Sequence, residues 1–255
     1  MPHRIPGGFA MQTQRRTIRI GLALALAAAF GAAAQAQTLR IGLAEDPDVL
    51  DPTLARTFVG RIVFAALCDK LFDIDEKLAI VPQLATAYEW SADSKALTLK
   101  LRPGVTFHDG EKFDAAAVKY NIERHKTMAG SNRRGELALV TTVDVVDPAT
   151  VRLNLSAPFA PLLAQLADRA GMMVSPKAAQ AAGDKFGANP VCSGPFRFAE
   201  RVAQDRIVLE RYANYWNKGE IHVEKVVYLP IVDATVRLAN LKSGQLDFIE
   251  RMASS

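Results

Sequence analysis

Apolar residues recur along this chain with two periods, and the alternation between them outlines a mixed fold. Leu39-Arg-Ile-Gly-Leu-Ala44 alternates apolar and other residues, the period of a half-buried strand. From Phe58 to Leu71, apolar side chains at 58, 59, 62, 63, 66 and 67 fall at helical spacing. Tyr88–Ser91 and Ala96–Leu101 flank the polar stretch Ala92-Asp-Ser-Lys95 and predict a hairpin with Leu97, Leu99 and Leu101 on one face. A second hairpin is predicted from Val143–Val146 and Val151–Leu155 around Asp147-Pro148. Asp114 is placed to cap a helix beginning at Ala115, because its carboxylate can accept from first-turn amides. Asp233 is placed to cap another over Ala234–Lys242. Further strands are expected at Val105–Phe107, Ile207–Arg211, Lys225–Leu229 and Leu246–Glu250, with a short helix at Pro161–Ala167. Between the first strand and the first helix, Glu45-Asp-Pro-Asp-Val-Leu-Asp-Pro52 is turn chemistry. Strands and helices mix without regular βαβ alternation, so the class is α/β or α+β with mixed sheets.

The pattern changes character at the start. Residues 1–36 hold Arg4, Arg15, Arg16 and Arg19, no acid, an uncharged run over Ile20–Ala34, and then Ala34-Gln35-Ala36. Basic segment, short apolar segment and small-x-small site in this order predict an export signal cut after Ala36. A membrane anchor would need about 20 strongly apolar residues, and this run is shorter and mostly alanine. Arg15-Arg16 also fits twin-arginine export, although its surroundings favour the general secretory route. No cysteine sits at the cut, so a freely diffusing periplasmic protein is expected.

That signal accounts for the basic charge. Four of the 31 basic residues lie within 1–36, leaving 27 against 27 acidic residues. The net charge of the remainder is near zero, which argues against nucleic acid as a partner. Two cysteines remain, Cys68 and Cys192. In an oxidising compartment the pair reads as a disulfide; the alternative is two buried thiols, and no C-x-x-C spacing suggests zinc or redox chemistry.

No catalytic, metal-binding or cofactor-binding constellation is visible. His108-Asp109-Gly110 reads as strand-end turn chemistry. His125, beside Glu123, Arg124 and Lys126, is expected on a solvated helix face, and His222 is isolated. Ser193 lacks the flanking glycines of a nucleophile elbow.

Several short motifs carry a resemblance. Leu101-Arg-Pro-Gly-Val-Thr-Phe-His-Asp-Gly110, with Phe113 and Ala115–Tyr120, closely resembles the signature of the family 5 extracellular solute-binding proteins. Pro82-Gln-Leu-Ala85 with Glu89-Trp90, Cys192-Ser-Gly-Pro-Phe196, Tyr215-Trp216 and Leu241-Lys-Ser-Gly-Gln-Leu-Asp247 resemble its other conserved stretches in order and spacing. One departure is Tyr212, where the family often has Asn. The resemblance implies a periplasmic-binding-protein-like type II fold of class α/β, with the first lobe carrying an inserted subdomain and the second lobe missing. By that resemblance residues 37–71 and 169–255 build the main sheet of the first lobe, and 72–168 the insertion.

It further implies a monomeric binding module, not an enzyme, that hands a small peptide or similar small solute to ABC transporter permease subunits. Nickel chelates and glutathione are the alternatives within the family, and a non-binding or chaperone-like remnant the alternative outside it. The cleft candidates are Arg56, Thr57, Phe58 and Val59 after the first strand, then Ser193 and Gly194, then Asp247 and Phe248. Packing is the competing role for each.

Overall fold

A computed structural model describes residues 37–252, together with Met1 and His3. The export signal read over residues 1–36 otherwise lies outside the described residues. From Thr38 onward the chain forms one unit, of class α/β, built on two sheets.

The larger sheet has five strands: β1 (Thr38–Leu43), β8 (Phe196–Val202), β9 (Arg206–Arg211), β10 (Lys225–Pro230) and β11 (Phe248–Ile249), in the order β11-β1-β10-β9-β8. Strand β1 runs parallel to both its neighbours, pairing Leu43 with Pro230 and Gly42 with Ile249. Strands β10, β9 and β8 are mutually antiparallel. Helix α1 (Phe58–Leu67) covers one face and buries Val59, Val63, Phe64 and Leu67. These side chains join Ile41, Leu43, Ile207, Leu209, Val226 and Tyr228 in one core. Helix α5 (Ala234–Lys242) follows β10, and the Asp233 carboxylate accepts from the Thr235 and Val236 amides as its cap.

The second sheet is antiparallel, in the order β4-β5-β7-β6, from β4 (Ala85–Trp90), β5 (Ala96–Leu101), β6 (Val140–Asp147) and β7 (Thr150–Leu155). Leu97, Leu99 and Leu101 do share its buried face, where they meet Val118 and Ile122 of helix α2 (Ala115–Thr127). A short hairpin, β2 (Phe72–Ile74) with β3 (Ile80–Pro82), was not legible as strands. The remaining helices are α3 (Leu162–Leu166) and α4 (Pro176–Ala182).

Four expectations need correction. The first helix ends at Leu67 rather than Leu71, because Cys68 turns to extended backbone (φ −130°, ψ 117°). Val105–Phe107 is not a strand; only Thr106 bridges, to Lys112. The last strand shrinks from Leu246–Glu250 to Phe248–Ile249, because Asp247 is held instead by Arg40. His125 is fully buried rather than solvated. It lies seven residues after Val118 and three after Ile122, on the helix face that packs inward.

Cys68 and Cys192 form a disulfide between the end of α1 and the segment entering β8. Both cysteines are buried in the core of the five-stranded sheet.

Candidate functional site

The carboxyl ends of the three parallel strands lie side by side at one edge of the five-stranded sheet. In open α/β sheets ligands gather outside such an edge, where the loops leave the strands. Three segments leave it here: 44–57 after β1, 231–233 after β10 and 250–252 after β11. Apolar side chains in and beside these segments are open: Phe58 at the start of α1 is 50% exposed, Phe248 on β11 58%, Val232 76% and Met252 69%. The Arg251 guanidinium sits 5.5 Å from the Phe58 ring centroid, which ties the last segment to the start of α1.

Loop 44–57 has no strand or helix to satisfy its backbone, so other groups must. Asp51 is the hub. Its carboxylate is fully buried and takes a bidentate pair from Arg124 of α2, at 2.9 and 2.6 Å, plus the Thr53 amide at 3.0 Å. Arg124 also donates to the Thr53 hydroxyl, which leaves that hydroxyl's own proton for His125 Nδ1 at 2.9 Å. The imidazole therefore carries its proton on Nε2, facing the Met172 carbonyl at 3.4 Å. Asn132 donates to the Thr53 and Leu54 carbonyls from backbone and side chain. Nearer the rim, Asp48 accepts from the Arg56 amide at 2.9 Å and the Thr57 hydroxyl at 3.1 Å. Those hydrogen bonds hold the Asp48 carboxyl below its usual range despite the opposing effect of burial, the largest single influence.

The eight candidate residues separate into exposed and buried sets. Arg56 and Phe58 are exposed and Thr57 half-buried, all at the edge. The Arg56 guanidinium makes no hydrogen bond or ion pair among the described residues. Phe248 is exposed on β11. Val59 is buried in the α1 core, and Ser193 and Gly194 are buried beside the disulfide. Gly194 lies so close to α1 that an added Cβ would stand 2.6 Å from the Leu67 carbonyl carbon. Asp247 is exposed but locked to Arg40, which donates to it from its amide at 2.8 Å and from Nε and Nη2 at 3.0 and 2.9 Å.

Sequence reasoning missed the Asp51–Arg124–Thr53–His125 network. Its signal was the helical period of α2, which places Asn121, Arg124 and His125 beside Val118 and Ile122. Among the described residues no group of three or more His, Cys, Asp and Glu is arranged to hold a metal ion, and no helix is long and apolar enough to cross a membrane.

Buried ionisable groups give the fold a pH dependence. Burial, then the Arg124 charge, pushes His125 from its ordinary 6.5 down to about 4. Burial does the same to His108, down to about 4; its ring contacts the Gly194 carbonyl and the Cys192 amide. Both imidazoles stay neutral in the folded chain and gain protons on unfolding. Each contributes stability on the order of 3 kcal/mol that is complete above pH ~6.5 and lost as pH falls toward ~4. Asp69 opposes them. Burial pushes its carboxyl from 3.8 up to about 7, against hydrogen bonds from Trp216 and Tyr215. Its contribution is complete below 3.8 and lost as pH rises through 7. The two imidazoles oppose Asp69 between pH ~4 and ~6.5, where Glu136, its carboxyl also raised by burial, adds a smaller opposing slope above 4.5, so the urea unfolding midpoint should fall as pH is lowered across that window. A flat or rising midpoint would refute the assignment, and His125→Gln should flatten the slope.

The family model of bacterial extracellular solute-binding proteins, family 5 Middle, matches residues 79–255. The chain belongs to this family of solute-binding proteins. It is 34% identical over 200 residues to the glutathione-binding protein GsiB of Pectobacterium atrosepticum, covering 78% of this chain and 39% of that relative. Against the GsiB of Escherichia coli K12 it is 31% identical over 232 residues, covering 91% and 45%. Among solved structures, AgaA in complex with agropinic acid, from A. tumefacien R10, superposes with a TM-score of 0.79 at 33% identity, covering 83% of this chain and 43% of AgaA. MppA, a periplasmic murein tripeptide binding protein in its unliganded open form, shares the fold at 24% identity with a TM-score of 0.79, covering 86% and 46%. The chain thus spans less than half the length of these relatives.

Proposed function

We propose that this chain forms one wall of the cleft of an exported substrate-binding component of an ABC importer. It captures a short peptide, or a similar carboxylate-bearing small solute, for delivery to the membrane permease. The observation that carries this reading is the sheet edge itself, where exposed Phe58 and Phe248 accompany an Arg56 guanidinium with no partner among the described residues. Aromatic faces suit the apolar body of a solute, and a guanidinium suits its carboxylate.

Arg56, Thr57, Phe58 and Phe248 would face the solute. Val59 would support them from beneath, Ser193 and Gly194 would stand at the far end of α1 beside Leu67, away from the solute, and Asp247 would fix β11 through Arg40. In the same reading residues 37–71 and 169–255 form the main lobe, 72–168 its insertion, and 1–36 a signal removed on export to the periplasm. A second lobe would close over the rim, since enclosure removes water and strengthens each polar contact. The relatives' solutes, glutathione and agropinic acid, guide the choice of probes.

An open wall binds weakly, so the test is an amide chemical-shift titration of the chain with glutathione, agropinic acid and a dipeptide panel at millimolar concentrations. Shifts confined to residues 56–59 and 248 are expected, and Arg56→Ala should abolish them. No shifts with any probe, or shifts centred elsewhere, would rule the reading out.

A further inference from the structure

Four arginines share an unusual arrangement at this edge of the sheet. Arg133 donates from Nη2 to the Ala55 carbonyl at 3.3 Å. Arg169 donates from Nη1 to the Ala55 and Thr57 carbonyls at 3.0 and 3.3 Å. Arg201 donates to the Pro47 carbonyl. Arg237 reaches the Ile231, Val232 and Arg251 carbonyls at 2.6, 2.9 and 3.0 Å. In all four the Nε is buried without a hydrogen-bond partner. Each gives at least one terminal nitrogen to backbone oxygens of the segments that leave the strands, while Arg133 also pairs with Glu136 and Arg201 with Asp46.

Arg169 has little counter-charge. Asp168, its neighbour, is taken by Arg61 through three contacts of 2.5 to 3.0 Å. Only a 3.9 Å approach remains between Asp168 and Arg169 Nε. Arg133 has Glu136 as an ion-pair partner. Burial, then repulsion from Arg133 and Arg61, lowers the Arg169 pKa from its ordinary value. A buried cation with so little counter-charge is costly, and its main gain is two carbonyls that bracket Arg56.

We propose that Arg169 is the positioning residue of the segment 56–58. By drawing the Ala55 and Thr57 carbonyls inward it leaves the Arg56 and Phe58 side chains to project from the rim. The importance of that projection rests on the reading of 56–59 as ligand-facing, whereas the ordering of the segment does not. One terminal nitrogen, Nη1, carries two N–H donors and reaches both carbonyls. The wall is thus preformed, and capture requires no ordering of this segment.

Amide hydrogen exchange on the ligand-free chain tests the assignment. Arg169→Met should speed exchange at the Arg56 and Thr57 amides by roughly tenfold or more, leaving the strands of both sheets unchanged. Arg169→Lys, which keeps charge and donors, should recover much of that protection. Arg237→Met should loosen 231–233 and 251 without touching 56–57. If Arg169→Met does not fold, Arg169→Lys and Arg133→Met are read in its place, each expected to give a smaller increase confined to 55–58. Unchanged exchange at 56–57, uniform acceleration along the chain, or the same acceleration from Arg237→Met would overturn the proposal. Because no ligand enters this experiment, a failed titration with glutathione or agropinic acid would count against the ligand reading alone.

Discussion

Arg124→Met should lower the stability of the folded chain by about 3–5 kcal/mol, the usual consequence of stranding one member of a buried ion pair. The Asp51 carboxylate would lose both guanidinium contacts while remaining wholly inaccessible to water. Asp51 also turns the loop, since its carboxylate accepts the Thr53 amide and its carbonyl accepts the Leu54 and Ala55 amides. The loss should therefore spread to the rim. Adding Asp51→Asn to Arg124→Met removes the stranded charge but keeps an acceptor for Thr53, and should recover a good part of the loss. Urea unfolding of the two single variants and the double variant measures both effects. A cost below about 1 kcal/mol for Arg124→Met would mean that the pair is not desolvated as described.

Removing the disulfide should have a comparable effect. Its cysteines are separated by 124 positions, for which the chain-entropy treatment gives about 5 kcal/mol of stabilisation. Replacing both by alanine should lower the melting temperature by roughly 10–20 °C, from the 2–4 °C per kcal/mol expected at this size. Titration of the denatured, unreduced protein should find no free thiol. Two free thiols, or an unchanged melting temperature in the alanine variant, would contradict the bond. Since both sulfurs lie within the core, a mild reductant should act on the folded protein only as fast as the chain opens.

The parts of the fold written in short-range patterns were readable before any coordinates. Alternation gave β5 and β7, and Asp114 and Asp233 marked the starts of α2 and α5 through local cap geometry. The disulfide was readable as a pair because only two cysteines exist. Errors arose where distant residues decide. Val105–Phe107 alternates like a strand, but its backbone is taken up by a turn bridging Thr106 to Lys112. Leu246–Glu250 looks like a longer strand, but the Asp247 side chain turns to Arg40, 207 positions away. His125 looked solvated because its sequence neighbours are charged. Arg124, beside it, is in fact neutralised by a carboxylate from the loop after β1. The four arginines that hold the rim were invisible for the same reason. Nothing local distinguishes an arginine facing water from one that donates to a carbonyl across the fold.

The strand order β11-β1-β10 has a consequence for how the molecule is made. The first strand has no partner close to it in sequence: its neighbours begin at Lys225 and Phe248. During synthesis β1 emerges first and must wait, unpaired, for most of the chain to follow. The β4-β5-β7-β6 sheet, assembled from segments close in sequence, can form in the meantime. The five-stranded sheet is completed only when residues near 249 arrive, so a growing chain stays without its principal sheet until then. Under the export proposed above, such a delay would keep the polypeptide threadable through a narrow pore before it folds.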